Sequence, residues 1–197
     1  GRSVSTKINT LINPLPYLIG YKTNGELNFI KQKSNRSVEL ISLNQNLKLT
    51  AQNNLTQEVF SKQQIATLVK KPNGTYQYET KEQLTLLKKS PLSLAAHLNT
   101  IQLNTDKIGS FSVVIKDQQN LELCKFDYSV VGTSQQPIPQ NAELSVKLNK
   151  NEFQANEDIE MEITAPYVGH GLITLERDKV YAYQWFNTTT TSSIQKI

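Results

Sequence analysis

Apolar and polar residues alternate with a period of two along most of this chain, and a helical period is nearly absent. Leu144, Val146 and Leu148 alternate with Ser145, Lys147 and Asn149, and Ile159, Met161 and Ile163 with Glu160, Glu162 and Thr164. Phe111, Val113 and Ile115 stand against Ser110, Ser112 and Val114. Cys124, Phe126, Tyr128 and Val130 share a face opposite Lys125, Asp127 and Ser129. Each run predicts a strand with one buried and one solvated face, because successive side chains of a strand point to opposite sides of the sheet. Further strands are predicted near 16–23, 37–43, 57–69, 75–79, 83–88, 98–104, 170–178 and 180–186.

The connections carry turn chemistry. Asn24-Gly25 and Asn73-Gly74 sit between strand-like runs and predict tight hairpins, since both residue types tolerate positive φ. Asp117-Gln118-Gln119-Asn120 predicts a third. Many short strands with regular turn signals give an all-β fold class: Ig-like antiparallel β-sandwich domains in tandem, the second truncated. The boundary falls at 132–140, a polar linker whose prolines disfavour both helix and central strand. Residues 1–14 are then a lead-in, 15–131 one complete sandwich, and 141–197 the N-terminal part of a second. A sheet lacking its last strands exposes unpaired backbone groups. The expectation is therefore that 141–197 either borrows strands from a neighbouring copy, by strand exchange or dimerisation, or is poorly ordered.

Composition narrows the partners. Hydrophobic residues are 38% and charged residues 19% of the 197, and 35 Asn and Gln fill much of the difference. That suits sheets with wet, uncharged outer faces, and it is too rich in spaced apolar residues for disorder. The net charge is +4, but the cations are scattered, as in Lys70-Lys71 and Lys88-Lys89. Nucleic-acid binders gather them on one stripe, so no nucleic-acid partner is expected. No stretch approaches the roughly 18 apolar residues that cross a bilayer, and no leader pattern is read at the start. The single cysteine, Cys124, has no partner for an internal disulfide and reads as a small core residue.

The search for chemistry yields no catalytic constellation. His97 and His170 fall in different predicted domains, with no cluster of metal ligands around either. No catalytic, metal or cofactor residue is assigned, and an enzyme is not expected. Glu157, Asp158, Glu160 and Glu162 form the densest acidic group; calcium ligation or an acid pair is one reading, and a solvated strand face the preferred one. Tyr181, Tyr183 and Trp185 share one face of a strand, which suits sugar stacking or, as the preferred reading, packing in the core or across strands. Thr188 to Ser193 reads as a polar loop or solvent-facing edge. Sequons at Asn35, Asn54, Asn73 and Asn187 are uninformative in a chain so rich in Asn and Thr.

A family resemblance enters in the last third. Ala142-Glu143-Leu144-Ser145-Val146-Lys147-Leu148 leads to Phe153-Gln154-Ala155-Asn156-Glu157-Asp158-Ile159, similar to the strand–turn–strand opening of a macroglobulin domain. The run Ala165-Pro166-Tyr167-Val168-Gly169-His170-Gly171-Leu172-Ile173-Thr174-Leu175-Glu176-Arg177-Asp178-Lys179-Val180, with Trp185-Phe186 after it, is more specific. Tyr17-Leu18-Ile19-Gly20-Tyr21 and Lys71-Pro72-Asn73-Gly74-Thr75-Tyr76-Gln77-Tyr78-Glu79 extend the likeness upstream. These segments resemble bacterial alpha-2-macroglobulins of the enterobacterial type. The resemblance implies a large periplasmic protein, in one form lipid-anchored to the inner membrane. Such a protein traps proteases by collapsing around them after a bait segment is cut. Cys124 is followed by Lys125, Phe126 and Asp127, which departs from the family's thioester motif, so no thioester residue is carried over. The implied role is scaffold, with proteases as partners of the parent molecule and neighbouring macroglobulin domains as contacts of this segment. The rival is an Ig-like cell-surface module that binds sugar or protein. Joint exposure of Tyr181, Tyr183 and Trp185 favours the rival, and their division between core and interface favours the scaffold.

Overall fold

The computed structural model describes residues 5–9, 15–135, 138 and 143–197. Both linker prolines and most of the 1–14 lead-in lie outside the described residues. Thirteen strands are described, in chain order β1 (Tyr17–Thr23), β2 (Ile30–Lys31), β3 (Ser37–Asn44), β4 (Gln52–Lys70), β5 (Tyr76–Leu94), β6 (Asn99–Gln102), β7 (Gly109–Lys116), β8 (Glu122–Val131), β9 (Ser145–Leu148), β10 (Glu160–Thr164), β11 (Gly169–Glu176), β12 (Val180–Thr188) and β13 (Ser192–Lys196). The protein is all-β among the described residues.

Two sheets enclose the main core. One is ordered β1-β3-β6 and the other β2-β8-β7-β4-β5. Alternation does the sorting: Val38 and Leu40 point inward from β3, Phe111, Val113 and Ile115 from β7, and Cys124, Phe126, Tyr128 and Val130 from β8, into one cluster with Leu55 and Leu94. Phe111 and Tyr128 stack with ring centroids 5.0 Å apart, and the Tyr128 hydroxyl donates to the Asn104 carbonyl at 3.1 Å. A buried phenol therefore keeps its polar tip satisfied. The pairing is antiparallel throughout the described sheets, except that the two-residue β2 runs parallel to β8.

The turn expectations divide. Asn73-Gly74 closes the β4–β5 hairpin: Lys71 and Thr75 are joined by a 2.8 Å backbone hydrogen bond, and Gly74 takes φ of 86°. Asp117–Asn120 closes β7–β8, with Asn120 at φ 63°. Asn24-Gly25 is a turn but not a hairpin. β1 pairs with β3, and the chain after Gly25 crosses to the opposite sheet as β2. The runs near 75–79 and 83–88 are one strand, β5, with a bulge opposite Val59 and Phe60 rather than a break.

Two ribbons project from this frame. β7 pairs with Thr56–Lys62 of β4, so from Gln63 to Lys70 that strand has only β5 beside it. β11 and β12 form a separate two-stranded ribbon. The last sheet is ordered β13-β10-β9. β13 was not predicted: Ser192 and Ser193, read from sequence as loop or solvent-facing edge, are buried strand residues paired with Thr164 and Ile163.

Candidate functional site

The register of the last sheet divides its side chains into two faces. Met161 and Ile163 lie opposite Leu148 and Val146 on the apolar face, while Glu162 pairs with Lys147 and Ile194 on the other. Sequence alternation predicts that Glu160 and Glu162 point into solvent. The structure corrects this for Glu162, which is only 4% exposed. The reason is that this polar face turns toward the chain as it leaves β8.

There Gly132 donates its amide to Glu162 Oε1 at 3.3 Å. The Ser192 hydroxyl, with Ser192 fully buried, lies 2.9 Å from the same carboxylate oxygen and 2.9 Å from the Gly132 carbonyl. Ser134 and Ser192 exchange two backbone hydrogen bonds of 3.1 and 3.0 Å. Lys147 Nζ stands 3.9 Å from the other carboxylate oxygen. A buried carboxylate is tolerated because these groups satisfy it. At the rim, Lys31 pairs with Glu160 at 2.8 Å, and Asn151 donates to Glu26 at 3.4 Å. This junction links the β1–β8 sandwich to the sheet of β9, β10 and β13.

Gly132 packs closely there: a Cβ would sit 2.6 Å from Ile108 Cδ1, so a larger residue would oblige the half-buried Ile108 side chain to shift.

The remaining acidic residues of the group find separate cations. Glu157 pairs with Lys150, and Asp158 with Lys196 at 2.5 Å. No group of His, Cys, Asp and Glu among the described residues is placed to hold a metal ion. His97 is held by the Leu98 carbonyl at 2.8 Å, and His170 lies exposed in β11 opposite Asn187. Cys124 is buried as expected; burial first and the Glu122 charge second push its thiol up to about 11. The thiol form is inert toward nucleophilic chemistry near neutral pH.

On the outer face of the five-stranded sheet, buried Glu58 accepts from Lys116 at 2.6 Å and meets Lys89 at 3.0 Å. The hydrogen bonds from Lys116 and then Lys89 hold its carboxyl below the usual range. Lys62 bridges Asp127 at 2.5 Å and Glu82 at 3.0 Å beside it.

The aromatic strand departs from the packing expectation. On β12, Tyr181, Tyr183 and Trp185 are 57%, 68% and 68% exposed. Leu172, opposite Trp185, extends the same open face. The other face closes on itself: Phe186 lies across its partner Gly171, whose absent Cβ would meet the ring at 2.3 Å. The β4–β5 ribbon carries a comparable outward stripe of Leu68, Tyr76, Tyr78, Leu84 and Leu86.

Comparison with known proteins decides the family. Over 199 positions covering the whole chain, the sequence is 35% identical to an alpha-2-macroglobulin of Pasteurella multocida and 36% identical to an alpha-2-macroglobulin homolog of Yersinia pestis. It is 30% identical over 200 positions to an alpha-2-macroglobulin of Rickettsia conorii. The chain belongs to the alpha-2-macroglobulin family. It spans only 10% to 11% of the length of these curated relatives. No family model matches it. Among solved structures it is similar to the native conformation of the Escherichia coli alpha-2-macroglobulin, at 12% identity and a TM-score of 0.49. That match covers 94% of this chain and 13% of the other. The Salmonella alpha-2-macroglobulin reacted with methylamine gives 13% identity and a TM-score of 0.46, covering 93% and 12%. No helix among the described residues is long and apolar enough to cross a membrane.

Within an alpha-2-macroglobulin segment, this arrangement can hold the sandwich and the last sheet in a defined orientation. The junction residues Glu162, Ser192 and Gly132 were not legible as a site. Their one sequence signal was the β-favouring Thr-Ser run before Ile194, which reads as readily as a loop.

Proposed function

We propose that this chain is scaffold within a bacterial alpha-2-macroglobulin that acts as a broad-spectrum endopeptidase inhibitor. The parent encloses a protease by collapsing after its bait segment is cut, and it works in the periplasm, in one form tethered there by a lipid anchor. The observation that carries the reading is full-length similarity to three proteins of that name. The inert, buried Cys124 accords with a structural role.

One observation favours the second reading, an Ig-like module that binds sugar or protein at a cell surface. Tyr181, Tyr183 and Trp185 are exposed together rather than divided between core and interface. The scaffold account explains this by the relatives' length: about nine-tenths of their chain lies elsewhere and is available to cover the ribbon.

Trp185 is the only tryptophan of this chain, which makes the two accounts separable. In the isolated chain acrylamide should quench its fluorescence freely. In a parent whose other tryptophans are replaced by phenylalanine, the scaffold account predicts strongly reduced quenching. Equal quenching in chain and parent would leave the face open and support the binding module.

A further inference from the structure

The junction between the sandwich and the last sheet is built around one carboxylate. We propose that Glu162 is the pin that fixes the angle between the β1–β8 sandwich and the β9–β10–β13 sheet, with Ser192 as its anchor and Gly132 as the pinned residue. This is a property of the chain itself and stands whether or not the parent traps proteases.

Three features carry it. The carboxylate is nearly sealed from water beside the segment that leaves β8, and its partners come from β13, β9 and that segment. The Ser192 hydroxyl has one proton and two acceptors at 2.9 Å, Glu162 Oε1 and the Gly132 carbonyl. It therefore ties strand β13 to both the pin and the pinned residue. Finally, Gly132 packs against Ile108 of the sandwich, which a Cβ there would push aside. Swinging the sheet away takes the Gly132 amide from the carboxylate and strands the Ser134–Ser192 pair in the same movement. The flanking Lys31–Glu160 pair cannot replace it, since Lys31 is largely exposed and such pairs contribute little. Glu162 is a positioning residue: it acts on the relative placement of two bodies and on no reacting group.

The test uses the full 197-residue chain. Amide hydrogen exchange is read at Gly132, Ser134 and Ser192, and residual dipolar couplings give the orientation of the sheet relative to the sandwich. Glu162→Ala should speed exchange at those three amides by about tenfold or more, the scale set by losing hydrogen bonds to a charged group. It should also scatter the relative orientation, while Val113 and Phe126 in the sandwich keep their protection. Glu162→Gln, which retains a carbonyl oxygen to accept from Gly132 and Ser192, should restore most of the fixed orientation. Glu162→Met, which fills a similar volume but accepts no hydrogen bond from Gly132 or Ser192, should not restore it, and a Met variant as well fixed as wild type would reduce the role to packing. Should Glu162→Ala unfold the last sheet, Ser192→Ala decides, because it removes only the hydroxyl; it should loosen the same three amides. Unchanged exchange and unchanged orientation in a folded Glu162→Ala or Ser192→Ala variant would overturn the proposal.

Discussion

Among single residues, Glu58 shows how the surface of the main sheet is held. Its side chain is buried between Lys89 and Lys116, and those two ammonium groups favour its charged form. A carboxyl whose proton affinity falls on folding contributes stability above its unfolded value of 4.5, and that contribution is lost as pH drops through the folded value. Asp127 behaves alike: burial works against ionisation, but the Lys62 hydrogen bond and charge outweigh it. Urea unfolding of the wild-type chain should therefore show stability declining below about pH 5. Glu58→Gln should lower stability at neutral pH by about 1–3 kcal/mol and make the acid limb shallower. An acid limb as steep as wild type would mean that Glu58 contributes nothing to it. Glu162 teaches a different lesson at this scale. Its alternation is that of a solvated strand face, and the sequence around β10 holds nothing to distinguish it from Glu160. What buries it is a contact with Gly132, thirty residues earlier, and periodicity reports only which face a residue takes, not what that face meets.

At the scale of elements, alternation was legible in part: Val113, Phe126 and Ile163 lie in the interior it predicts, but Leu144, Val146 and Leu148 are exposed, and Ser112 and Val114 on the predicted wet face of β7 are buried. The elements that escaped are those whose burial comes from distant neighbours. β2 is two residues long and is stabilised by its parallel partner β8. β13 is mostly Ser, Gln and Lys and is placed by β10 and the Ser134 bridge. The β11–β12 ribbon departs from expectation in the opposite sense. A run of Tyr, Tyr and Trp at alternate positions reads as core, yet those rings stand exposed, and on the ribbon's other side the Phe186 ring lies over Gly171. A ring laid over a cross-strand glycine is a known way to stabilise such a glycine. Gly171→Ala should push the Phe186 ring off its partner and destabilise the ribbon by about 1–3 kcal/mol, the range for overpacking. Hydrogen exchange at Ile173 and Gln184 would report it locally. Unaltered exchange there would show that the ring has room to move.

The whole chain is a sandwich followed by a second sheet and a ribbon, pinned at Gly132 and carrying two projecting arms with exposed apolar stripes. Monomeric soluble proteins rarely keep apolar patches of that extent uncovered unless the patches meet a partner. Because the curated relatives are about ten times longer, the partner in the scaffold account is the remainder of the parent, and that account would make movement of these bodies part of the proposed collapse. Interfaces between domains of one chain are commonly modest and polar, and the junction around Glu162 has that character. The most direct measurement treats the full-length parent with a broad-specificity protease and follows its size by small-angle scattering and native-gel mobility. The account predicts rapid compaction after one or a few cuts confined to a single segment. Progressive degradation without compaction would contradict it.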